Sequence, residues 1–152
     1  MRSMPTLKRQ DGVMLLEALI AILIFSVGIL AIVGMQGVAI KTVTQSKYRS
    51  EAAFLANEVL SQMWADTSNL ASYDFPQGAA TPARLTDWKA RVDSRLPGTT
   101  DPNMAPTVTI TSANAQGATV QIVIWWRLPE EKAQGVDPHN YTVLASVYAN
   151  PP

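Results

Sequence analysis

The sequence predicts an α+β fold, one very long N-terminal helix followed by a small antiparallel sheet. Three observations carry this. No residue between Glu17 and Lys41 bears a formal charge, and no proline lies between Pro5 and Pro76. Beyond Ile40, apolar residues recur near helical spacing at Val43, Ala52, Leu55, Ala56, Val59 and Met63. The last third alternates apolar and polar residues with period two, the pattern of half-covered strands.

The helix is expected from Val13 to about Asp66, roughly 80 Å at 1.5 Å per residue. Residues 13–40 are apolar all round, enough to cross a hydrocarbon core that needs roughly 20 residues. Residues 41–66 carry a single apolar stripe with Lys47, Arg49, Glu51 and Glu58 between its members. Arg2, Lys8 and Arg9 precede the apolar run, and the positive-inside tendency leaves that end cytoplasmic and sends the rest across the membrane. A secretory signal would have a shorter core, of about 7 to 15 residues, closed by small residues. Here the run is longer and no Ala-x-Ala site ends it. Gly28, Gly34 and Gly37 lie inside the helix, each costing about 1 kcal/mol against alanine. Two readings stay open for them: close helix packing, or a weak stretch that can unwind. Glu17 is the outlier. A carboxylate costs about 2.5 to 3.5 kcal/mol at the centre of a membrane helix and less near its end. A chain that needed only an anchor gains nothing from it.

Residues 67–83, rich in Ser, Asn, Gly and Pro, read as a loop. Thr81-Pro82 looks like a cap followed by proline at the first helical position. Leu85, Trp88, Val92 and Leu96 then form one face of a short helix that Pro97-Gly98 ends. On its other side Asp87 with Arg91, and Lys89 with Asp93, stand at i, i+4. Arg84, Lys89, Arg91 and Arg95 read as a solvated face rather than a basic binding patch. Strands are expected at Thr107–Ser112, Thr119–Arg127 and Tyr141–Tyr148, the first two joined by the turn Asn114-Ala115-Gln116-Gly117. Val120, Ile122, Ile124 and Trp126 share one face of the second, and Tyr141, Val143, Ala145 and Val147 one face of the third. Pro129–Asn140 reads as a charged loop. The three-stranded sheet needs a cover on one face, and the amphipathic half of the long helix is the natural one. The head therefore comprises an amphipathic helix (41–66), a loop and short helix (67–98) and a sheet (106–149).

Little in the head suggests chemistry. Cysteine is absent, which excludes thiolate metal sites, a cysteine nucleophile and disulfides. The single histidine, His139, stands in a turn and reads as solvated. Glu130 and Glu131 are neighbours in the same loop, where pointing apart into water is the default. Trp125 and Trp126 read as core and sheet-surface residues rather than a platform for stacking bases. With 12 basic and 12 acidic residues, the chain has no field to hold nucleic acid. The sequence points to no catalytic residue, cofactor or metal.

The N-terminal segment does carry a resemblance. A basic leader ending in Gly12, Glu17 as the fifth residue after it, and an uninterrupted apolar run resemble the type III signal of type IV pilins and type II secretion pseudopilins. The stretch Leu16-Glu17-Ala18-Leu19-Ile20-Ala21-Ile22-Leu23-Ile24-Phe25-Ser26-Val27-Gly28-Ile29-Leu30 is similar to the minor pilins called PilV. So are Gly34-Met35-Gln36, the helix end near Met63-Trp64-Ala65-Asp66, and the strand Ile124-Trp125-Trp126-Arg127. The resemblance implies a pilin-like fold with residues 1–12 as a leader, cut after Gly12 by a prepilin peptidase that then methylates Val13. Residues 13–40 would be the membrane and filament-core helix, and Glu17 would neutralise the terminal amine of a neighbouring subunit. Val13 stands where the family usually has phenylalanine or methionine. The C-terminal cysteine pair of many major pilins is missing, and Gly34 replaces locally a proline common in their helix. These departures favour a minor subunit.

The implied place is the bacterial inner membrane with a periplasmic head, then the filament and its tip. The implied partners are other minor pilins, the major pilin, the prepilin peptidase, the inner-membrane assembly machinery, lipid before assembly, and a tip adhesin. Two alternatives stay open: a minor pseudopilin of type II secretion, and a tip-displayed module that binds a surface or DNA.

Overall fold

The computed structural model describes residues 11–114 and 117–148. Residues 1–10 of the leader expected at 1–12, the centre of the turn at 115–116 and the end of the expected sheet region at 149 fall outside these residues. The chain divides into two units between Thr44 and Gln45. Helix α1 spans Asp11–Ala65, close to the expected extent.

The first unit holds the apolar part of α1. Gly12–Ala65 is long and apolar enough to cross a membrane, and none of its most apolar stretch is buried within the chain. Phe25 is 68% exposed and Leu30 74%. Two hydroxyls here turn back onto the helix. Ser26 Oγ donates to Ile22 O at 2.7 Å and Thr42 Oγ1 to Val38 O at 3.1 Å, so neither is left unsatisfied in an apolar surrounding.

The second unit begins with the remaining turns of α1. Ala52, Leu55, Ala56, Val59 and Met63 are fully buried, at spacings that keep them within one stripe of a helix with 3.6 residues per turn. Val43, expected to belong to this stripe, is 68% exposed. It lies nine residues before Ala52, two and a half turns, and so on the opposite side of the helix.

Residues Thr67–Tyr73, expected as loop, form a 3-10 helix with Leu70 and Tyr73 buried. The second helix starts later than expected. Pro82 caps a short 3-10 turn, Ala83–Leu85, and helix α2 follows at Thr86–Arg95. Its buried face is the expected one, Leu85, Trp88, Val92 and Leu96. Leu96, held extended by the proline after it, ends the helix, and Gly98 takes φ +86° to turn the chain.

The sheet is antiparallel in the order β1 (Thr107–Asn114), β2 (Gly117–Trp126), β3 (His139–Tyr148). Between β2 and β3 a short helix, α3, occupies Pro129–Ala133, where a loop was expected. Proline at its first position and two glutamates in its first turn are ordinary start signals. Val120, Ile122 and Ile124 of β2 are fully buried with Val108 of β1 and Val147 of β3, in one cluster with the stripes of α1 and α2. The cover on the sheet is the expected one. Every member of this core, and every partly buried side chain packed on it, lies between Tyr48 and Val147.

Candidate functional site

The residues singled out on the apolar segment all lie on α1 and are exposed. Gly12, Val13 and Glu17 occupy its first two turns. Among the described residues Glu17 meets no hydrogen-bond donor and no cation. A Cβ built on Gly28, Gly34 or Gly37 meets nothing within 4 Å, so packing among the described residues does not explain these glycines. Nine residues at about 100° each put Gly37 opposite Gly28, so no single packing stripe contains all three. This segment presents apolar surface on every side and one carboxylate.

The basic face of α2 is not simply solvated. Arg95 Nη1 lies 2.7 Å from Glu51 Oε1, Arg91 Nη2 lies 2.6 Å from Glu58 Oε1, and Arg84 pairs with Asp66. Glu51 and Glu58 are seven residues apart and share a flank of α1. As the acidic numbers rise the basic ones fall, so α2 runs antiparallel to the second half of α1. The expected Lys89–Asp93 pair is present at 2.7 Å, whereas Arg91 turns to Glu58 rather than to Asp87. Asp66 also accepts from the Asn69 amide at 2.6 Å and the Tyr73 hydroxyl at 3.2 Å. The Asn69 bond foremost, with Tyr73 and Arg84 acting against a desolvation cost, holds the Asp66 carboxyl below its ordinary range. Desolvation, and then the same carboxylate, pushes the Tyr73 hydroxyl up.

Glu131, expected to point into water, is 3% exposed. Its Oε2 accepts from the Leu128 backbone N–H at 3.2 Å, reaching back over the first turn of α3 as in a capping box. Its Oε1 accepts from Gln45 Nε2 at 2.7 Å and lies 3.3 Å from His139 Nε2. Gln45 Oε1 in turn accepts from the indole N–H of Trp126 at 3.0 Å. The Trp126 and His139 rings stack at 5.8 Å between centroids and 24° between planes. His139 thus opens β3 as a half-buried member of a network and not as a free turn residue. Burial of a carboxylate is tolerable when its lone pairs are met, and here two donors and the His139 ring nitrogen converge on it. The cluster ties α1, β2, α3 and β3 together at the start of the head.

Among the described residues no group of three or more His, Cys, Asp or Glu side chains is placed to hold a metal ion. Comparison with known proteins finds no family model, no curated protein and no solved structure that matches the chain.

Proposed function

We propose that the chain is a minor subunit of a type IV pilus, of the PilV type, which takes part in initiating the filament or forming its tip. The observation that carries this reading is Glu17, one carboxylate with no partner among the described residues, in the first turns of an apolar helix exposed on every side. Opposite charges in a low-dielectric helix bundle attract strongly, and each is costly when left alone. A neighbour's terminal ammonium, freed by cleavage after Gly12, satisfies Glu17 when the helix leaves lipid for a filament core. The signal resemblance around Gly12, Val13 and Glu17 supports the same reading. So does a head whose charges are largely spent on tying its own elements together, leaving an apolar helix for partners.

In this reading Gly28, Gly34 and Gly37 serve helix packing or local unwinding in the filament. The subunit waits in the inner membrane with its N-terminus cytoplasmic and its head periplasmic, and meets the major pilin, sister minor pilins and the assembly machinery there. The mass of the protein recovered from cells tests the proposal. A mature chain beginning at methylated Val13 is expected, and a chain that keeps residues before Gly12 overturns it.

A further inference from the structure

The two edges of the sheet are treated differently. The outer edge of β1 is covered by the segment after the 3-10 helix. Phe75 N donates to Val108 O at 2.7 Å and Val108 N to Phe75 O at 3.0 Å. One step along, the Ile110 N–H donates to the Asp74 carboxylate at 3.1 Å.

The outer edge of β3 has no such cover. Its ten residues pair with β2 in unbroken register from Tyr148 opposite Gly117 to His139 opposite Trp126. Among the described residues, nothing bonds the backbone groups of β3 that point away from β2. The devices that usually protect an edge are missing as well. The strand has no Lys, Arg, Asp, Glu, proline or bulge.

The core also thins toward this edge. Ile122 and Ile124 of β2 are fully buried, while their β3 partners Val143 and Tyr141 are only partly so. On the outer face Leu144 is 69% exposed and Tyr148 63%.

From these observations we infer that β3 is an acceptor edge for an extended segment of another protein, which adds a fourth strand. The chemistry of the occupant follows from the edge. A row of free N–H and C=O groups about 34 Å long asks for an extended backbone. Partly bare Tyr141 and Val143 ask for apolar side chains at every second position. An edge without charge offers no partner to a charged donor, so the occupant is uncharged along this length. The inference does not rest on the pilus reading.

Hydrogen exchange read by mass spectrometry tests it on the full chain in detergent micelles. The probe is a synthetic ten-residue peptide of alternating threonine and valine with blocked ends, extended, apolar at every second position, uncharged and not copied from this chain. Saturable binding with slowed exchange in β3 is expected. Leu144→Lys changes an exposed side chain, leaves the melting temperature in place and weakens binding by about tenfold, equivalent to about 1.4 kcal/mol. Peptide protection absent from β3, or binding unchanged in Leu144→Lys, overturns the proposal. So does a chain that dimerises through β3 without peptide, because the occupant is then a second copy.

Discussion

The indole N–H of Trp88 donates to the carbonyl oxygen of Leu55 at 2.8 Å, from the middle of α2 into the buried stripe of α1. Both side chains are fully buried, so the bond lies in the centre of the core rather than at its rim. Trp88→Phe keeps an aromatic ring and removes the donor. It should cost about 1 kcal/mol for the bond plus the cavity left by the smaller ring. Trp88→Ala should cost about 3 to 5 kcal/mol. Urea unfolding followed by circular dichroism separates the two. Equal stabilities for Trp88→Phe and the parent would mean the bond contributes nothing.

Glu131 makes a sharper case, because its neighbour is a built-in control. Glu131→Ala leaves the Gln45 amide and the Leu128 N–H without their acceptor, a loss of about 1 to 3 kcal/mol. Glu130 is exposed, and Glu130→Ala should stay within about 0.5 kcal/mol of the parent. Thermal melts of the two variants decide it. Similar melting temperatures would return Glu131 to the solvent-facing role its sequence context suggests.

Asp66 predicts a direction in pH. A carboxyl whose folded pKa lies below its unfolded value adds stability that is present above the unfolded value and lost as pH falls through the folded one. With an ordinary value of 3.8, the contribution is intact at neutral pH and is lost below about pH 4. Asp66→Asn should flatten that acid limb. Melting temperatures from pH 7 down to pH 2 would show it, and parallel profiles for parent and variant would remove Asp66 from the account.

Glu17 tests assembly rather than folding. Glu17→Ala removes a charge from a helix long and apolar enough to cross a membrane, so insertion should be unchanged or improved. On the proposed pilus reading, surface filaments counted by electron microscopy should fall. Normal piliation with Glu17→Ala would sink the pairing role.

What could be read in advance was what repeats locally. The buried stripes of α1 and α2 and the core faces of β2 and β3 follow periods of 3.6 and 2, and the structure keeps nearly all of them. Val43 failed because, nine residues before Ala52, it stands half a turn out of phase with the stripe. The features that escaped depend on distant partners. Glu131 is buried because Gln45, 86 positions earlier, meets it, and nothing near Glu131 in sequence announces that. Arg91 has an acceptable partner at Asp87, yet the carboxylate of Glu58 on the packed helix takes it. The exposed glycines meet nothing within 4 Å among the described residues, so no contact there chooses between packing and unwinding.

The three arginine–carboxylate pairs have a consequence beyond their small individual strength. The acidic positions 51, 58 and 66 are spaced unlike the basic positions 95, 91 and 84 that meet them. Unequal scales laid side by side agree at one setting only, as on a vernier. Sliding α2 by a turn cannot hand all three arginines to new carboxylates at once. The surface charges and the buried Trp88–Leu55 bond therefore agree on one setting, a calibration mark for where the short helix stops along the long one.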